Sequence, residues 1–279
     1  MGKATKILAL ETTDAQGSVA LCDGGEILTS RRLDADRRSA QTLAPTIRET
    51  LDEFGWAPND VDAVAVAVGP GSFTGLRVGV STAKMLAWAV GAKIVGVDAL
   101  EAIASEIERL PNGEETGVVS VGIDAQRGDV AVRRFGVDVA RKGRPVPLDE
   151  RFRVVSVKKW FEEEKRREFD GEFDCVKSAD FARFLDSGLF WDKTKSNATP
   201  SVYFCSPSLN RWRNKGGENI ETQFVDDAFW APTAVGVARV AWRRAENGDF
   251  DDVWSLAPIY SRLAAAEEKA REKAAERGN

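Results

Sequence analysis

Glu11, Thr12 and Thr13 follow a short apolar run, KILAL, and Asp124 follows a second one, VVSVGI. A free carboxylate at a strand end could orient water or Mg²⁺. The same residues could equally cap turns. A third group lies between them: Gly69, Pro70, Gly71, Ser72, Phe73, Thr74 and Gly75, with Arg77 just beyond. Before this loop, Val64, Val66 and Val68 alternate with Ala63, Ala65 and Ala67. That pattern predicts a strand covered on both faces. After it, Leu76, Val80, Ala83, Ala87 and Val90 recur at helical spacing. Strand, glycine loop, helix is an arrangement that aims backbone N–H groups and a partial charge of roughly +0.5 at whatever lies over the loop. Two readings follow: an anion site or backbone docking surface, and a tight turn that needs glycine for close packing. The spacing excludes two familiar sites. A P-loop has Lys and Ser/Thr after its last glycine, where Leu76 and Arg77 stand here, and the G-x-G-x-x-G gap is one residue too long.

The chain has 279 residues and no histidine. That removes His general bases, Ser-His and Cys-His nucleophile pairs, and His metal ligands. The three cysteines, Cys22, Cys175 and Cys205, are too few and too scattered for a structural zinc site, and they fit isolated thiols in a reducing cytosol. A cytoplasmic protein is therefore expected. No apolar run has membrane-spanning length, and Lys3 and Lys6 precede a strand-like run, not a secretory leader. The net charge of −5 argues against a dedicated nucleic-acid binder, although RRLDADRR at 31–38 is locally basic.

The elements that must position these groups read in order as follows. Residues 6–10, 18–22 and 26–33 form an antiparallel meander, with a hairpin at Asp23-Gly24-Gly25. Leu43, Ile47, Leu51 and Phe54 mark an amphipathic helix with Pro45 in its first turn. After the glycine-loop unit come a strand at 93–97 and a helix running to Leu110, opened by an Asp98/Glu101 capping box. The second half starts as the first did, with a strand to Ile123, a turn at 126–129 and a strand at 130–135. VSVGIDAQRGDVAV weakly echoes ILALETTDAQGSVAL. Residues 158–169 predict a charged helix with Trp160 and Phe161 inward, 201–205 a strand, 207–217 a loop, and 232–247 a helix that opens with proline and is followed by Gly248. Residues 263–279 are charged and have little to bury.

A duplicated meander with acid-tipped strands resembles the fold shared by actin, sugar kinases and heat-shock ATPases. This is a ribonuclease H-like α/β fold of two βββαβαβα-type domains. The expected division is 1–112, with the glycine loop and the partner interface, and 113–262, with a divergent or inserted stretch near 141–217. The last helix is expected to pack back on the first domain, and 263–279 forms a tail. The strings ILALETTDAQGSVAL, VGPGSFTGLRVGVSTAKMLA, VGVDALEAIAS, IDAQRGDVAV and APIYSRL narrow the match. Their sequence and order resemble the TsaB (YeaZ) family.

That resemblance implies a non-catalytic subunit that binds and activates TsaD. With TsaE, these form the bacterial complex that places threonylcarbamoyladenosine in tRNA. It implies no cofactor of the chain's own, ATP or ADP at most at a site shared in the complex, tRNA contact only through the complex, and a capacity to form homodimers. The interface expected on the first-domain helices includes Ser39, Leu43, Ile47, Leu51, Leu76, Val80 and Ala83. Glu11, Thr12, Thr13 and Asp124 are the nucleotide-proximal positions. Three departures stand out: Glu11 replaces the family's usual Asp, Ser39 stands where His is common, and the glycine-rich segment late in the second domain is missing. A peptidase label once attached to such sequences assumed histidine metal ligands that this chain lacks. The competing reading, from fold alone, is a self-contained ATPase or small-molecule kinase built on the same four polar residues.

Overall fold

The computed structural model describes residues 5–139, 145–160, 162–163, 202–206 and 224–261. The expected α/β class is present. Strands β1 (Lys6–Glu11), β2 (Ser18–Asp23) and β3 (Glu26–Arg32) form the meander. β4 (Ala63–Gly69) and β5 (Lys93–Asp98) then add in parallel to give the order β3-β2-β1-β4-β5. Gly24 and Gly25 both take positive φ in the hairpin, as a two-residue turn between twisted strands requires.

The Val/Ala alternation of β4 divides two layers. Val64, Val66 and Val68 share a core with Leu8, Leu10, Leu43, Ile47, Leu51, Val80 and Ala83. This core lies under α1 (Ser39–Glu53) and α2 (Phe73–Val90). Ala63, Ala65 and Ala67 face the other way, with Ile7, Ala9, Ala20, Cys22, Val95 and Val97. That small-residue face lets α3 (Ala99–Ser105) and α4 (Ala234–Glu246) come close to the sheet. The two helices also cross tightly: a Cβ on Gly236 would strike the carbonyl of Ala102. Each large aliphatic side chain buried this way contributes roughly 1.5–3 kcal/mol.

The second sheet repeats the pattern. β6 (Thr116–Asp124) and β7 (Asp129–Asp138) pair antiparallel. The third strand of the repeat is split between β8 (Val146–Pro147) and β9 (Arg153–Ser156), both on β7, and β10 (Val202–Cys205) runs parallel to β6. Trp160 is fully buried on this sheet and donates its indole N–H to Ser120 Oγ at 2.8 Å. Phe161, Cys175, the 207–217 loop and the 263–279 tail lie outside the described residues, as does most of 141–217.

Two helix boundaries depart from the pattern reading. α1 begins at Ser39, so Pro45 stands inside the helix and not in its first turn. The helix starts early because Ser39 to Thr42 continue the coil although only Thr42 among them is buried, a start that an apolar period cannot mark. α3 stops at Ser105, not Leu110. Ile107 and Leu110 are still buried, but in the core of the second sheet, so their apolar character reflects that contact and not a continuing helix. Asp98 caps α3 by accepting from the N–H of Leu100. The same carboxylate receives Arg133 Nη1 of β7 at 2.8 Å, and Arg133 also donates to the carbonyls of Asp149 and Glu150.

Candidate functional site: the glycine loop and its surroundings

The β4–α2 loop is filled by its own protein. Ser72 N–H donates to the carbonyl of Thr13 at 2.8 Å, and the Thr12 hydroxyl donates to the carbonyl of Gly75 at 2.8 Å. The β1–β2 turn thus sits against the first turns of α2. Glycine is needed here for closeness: a Cβ on Gly71 would meet Thr13, and one on Gly75 or Gly79 would meet Thr12. Gly69 has φ +122°, and a Cβ there would strike the carbonyl of Ile259. Ser72 caps the helix, its Oγ accepting from Gly75 N–H at 3.3 Å, and Leu76 N–H donates to Ser72 O at 2.8 Å. The donors of Ser72, Gly75 and Leu76 are therefore engaged within the chain, so close packing accounts for the glycines.

Glu11 is fully buried. Its Oε1 accepts the N–H and the hydroxyl of Thr13, the latter at 2.6 Å, and Oε2 has no partner among the described residues. Burial pushes its carboxyl up to about 7. The Thr13 hydrogen bonds oppose that rise and the nearby charge of Asp14 adds to it. Thr12 and Thr13 are buried with both hydroxyls committed. Asp124 accepts the N–H of Gln126 at 2.7 Å and so closes its own turn, in which Gln126 and Arg127 take positive φ. Among the described residues, no group of three or more His, Cys, Asp or Glu side chains is placed to hold a metal.

The side chains expected at a partner interface prove to be core. Leu43, Ile47, Leu51, Leu76, Val80 and Ala83 are all buried beneath their helices, and Ser39 is half-buried. An amphipathic stripe finds its own sheet first, because that burial is intramolecular. What α1 presents outward is charged, with Arg48, Glu49 and Asp52 exposed. What α2 presents is different: Met85 is 63% exposed and Trp88 59%.

A strap from the end of the chain runs antiparallel along this outer face. Asp251 pairs with Ile94 at the edge of β5, and its carboxylate accepts Gly96 N–H at 2.7 Å. Trp254 then meets Trp88 edge-on, ring centres 6.4 Å apart. Lys84 Nζ donates to the carbonyls of Trp254 and Leu256, at 2.9 and 2.8 Å. Ile259 N–H donates to Val68 O at 2.7 Å. Tyr260 stacks on Phe73, centroids 4.7 Å apart, and its hydroxyl accepts from Arg77 Nε. Trp254 stays largely exposed, and Ile259 and Tyr260 partly so. The sequence held a signal for this surface: Met85 and Trp88 are large apolar residues off the core stripe of α2.

The family model for TsaD, tRNA N6-adenosine threonylcarbamoyltransferase, matches residues 32–143. The tRNA threonylcarbamoyladenosine biosynthesis protein TsaB of Bacillus subtilis is 33% identical over 125 residues, 44% of this chain and 52% of that protein. The protein of the same name from Haemophilus influenzae is 37% identical over 124 residues, 44% and 51% of the two chains. A solved structure, YeaZ from Pseudomonas aeruginosa, superposes with a TM-score of 0.63 at 23% identity, covering 92% of this chain and 99% of that one. The chain is similar to TsaB proteins over less than half of its length and shares the fold of YeaZ. It spans about half the length of the curated relatives it matches. The likeness to YeaZ extends the shared fold over both sheets. Among the described residues no helix is long and apolar enough to cross a membrane.

Proposed function

We propose that this chain is the scaffold and activator subunit of a complex that makes threonylcarbamoyladenosine in tRNA, where it binds and activates a TsaD-type transferase. Its relatives carry that pathway in their names. The observation that carries the reading is a contrast between two surfaces. Glu11, Thr12 and Thr13, at the expected nucleotide position, are buried with both threonine hydroxyls committed within the chain, whereas α2 and the strap hold out Met85, Trp88, Trp254 and Ile259. Exposed large apolar groups gathered on one face mark a docking surface. A stable contact would cover about 1,000 Å² or more in total.

In this reading the chain acts by contact and performs no bond chemistry of its own. TsaE joins the assembly, ATP or ADP binds at most at a shared site, tRNA is reached through the complex, and the free chain can pair with itself. The kinase or ATPase reading would need Thr12 and Thr13 to leave the contacts they make.

The test is co-purification with TsaD, together with deletion of the gene and mass-spectrometric measurement of the modified nucleoside. A stoichiometric complex and loss of the modification are expected. Unchanged modification after deletion would overturn the proposal. Tight Mg-ATP binding with turnover by the isolated chain would favour the kinase.

A further inference from the structure

We propose that Arg77 is the anchor through which the outer face of α2 receives a carboxylate of its protein partner. The inference rests on the reading that the partner is a TsaD-type subunit, and it names the chemistry of that contact.

Arg77 is held before any partner arrives. Its guanidinium carbon lies 3.9 Å over the Phe73 ring. Its Nε donates to the Tyr260 hydroxyl at 3.2 Å. Phe73 and Tyr260 brace each other. One face and one donor of the guanidinium are thereby fixed, and its two terminal nitrogens have no protein partner among the described residues. A stacked arginine fork loses little further freedom when it closes on a carboxylate with two parallel hydrogen bonds.

Its surroundings select a protein. Arg77, Ser81, Lys84 and Trp88 follow one another at intervals of three or four along a single face of α2, with Met85 next to Lys84 and four residues past Ser81. No acidic residue occurs from Phe73 to Val90, in a chain whose net charge is −5. Lys84 is tied to the strap by two carbonyls, so Arg77 supplies the accessible cation of this face. The complementary surface is apolar with a carboxylate at one end. An RNA backbone would call for a broad basic field, which two cations beside exposed tryptophans do not make. Arginine, tryptophan and tyrosine are also the residues that dominate protein–protein binding energy.

The experiment measures affinity for purified TsaD by calorimetry at two salt concentrations. The variants are Arg77→Ala, Arg77→Lys, Tyr260→Phe and, on α1 as control, Arg48→Ala, each checked for an unchanged melting temperature. Arg77→Ala should weaken binding about 30-fold and flatten its salt dependence. Arg77→Lys should still lose about tenfold, because it keeps the charge but not the fork. Tyr260→Phe should fall between wild type and Arg77→Lys, and Arg48→Ala should change little. Wild-type binding that Arg77→Ala leaves intact would overturn the inference and spare the proposed function. Absence of wild-type binding would overturn both. A parallel titration with labelled tRNA decides the other source of anion: if Arg77→Ala abolishes tRNA binding and leaves TsaD binding unaltered, the fork serves a phosphate and the inference fails.

Discussion

The N–H of Ile259 donates to the carbonyl of Val68 at 2.7 Å, so the end of the described chain closes on the strand that feeds the glycine loop. Gly69, next in sequence, has φ +122° and lies against the Ile259 carbonyl. Gly69→Ala combines an unfavourable backbone angle with a clash against main chain. It should destabilise the protein by about 2–4 kcal/mol, read from urea unfolding, and free the strap in hydrogen exchange at residues 254–260. An unchanged midpoint would mean that the loop and strap are not coupled as described.

Lys84 fastens the middle of the same strap through the carbonyls of Trp254 and Leu256. Lys84→Met keeps the aliphatic stem and removes the donors. The expected result is a small loss of global stability, about 1 kcal/mol, but a clear red shift and easier quenching of tryptophan fluorescence as Trp254 leaves Trp88. If quenching is unaffected in Lys84→Met, packing alone holds the strap.

Glu11 gives a pH signature. Its carboxyl stands at about 7 when folded, above its ordinary value of 4.5, because burial disfavours the charge. A raised folded value means that the stabilising contribution is complete below pH 4.5 and is lost as pH rises through 7. Relative to Glu11→Gln, the wild type should therefore lose roughly 3 kcal/mol between pH 4.5 and 8. Parallel unfolding curves for the two proteins across that range would show that Glu11 is not the group responsible.

Arg133 ties the two sheets together through Asp98, with both side chains mostly buried. Burial raises the Asp98 carboxyl, and the guanidinium works against that rise. Removing Arg133 leaves an uncompensated acid, so Arg133→Met should cost about 3 kcal/mol. In the double variant with Asp98→Asn much of that cost should return. A double-mutant cycle with no coupling would show the pair to be energetically idle.

Much of the fold was legible because periodicity reports burial. The meander, the βα unit around the glycine loop and the helix at 234–246 all have clear periods of two or 3.6. Legibility failed where one residue answers to two contacts: Ile107 and Leu110 look helical yet belong to the second sheet's core. The site was half legible. GPGSFTG announced a special backbone, but whether its N–H groups would face a ligand or Thr13 depends on a turn sixty residues away. The partner stripe was misassigned because apolar period alone cannot tell a helix's own sheet from a second protein. The path of the strap was not legible, since its ties to Lys84 run through the backbone carbonyls of Trp254 and Leu256, which no side-chain pattern records.

The placement of α4 across the alanine face of the first sheet has a practical corollary for protein engineering. The stretch that resembles TsaD ends near residue 143, but the helix that roofs one side of its sheet begins at Ala234. A truncated product cut at the similarity border would leave Ala9, Ala20, Ala65 and Val95 wet and prone to stick. The border of sequence similarity and the border of a packed sheet differ in this molecule, and a fragment that keeps this sheet covered needs β1 to β5 together with α4.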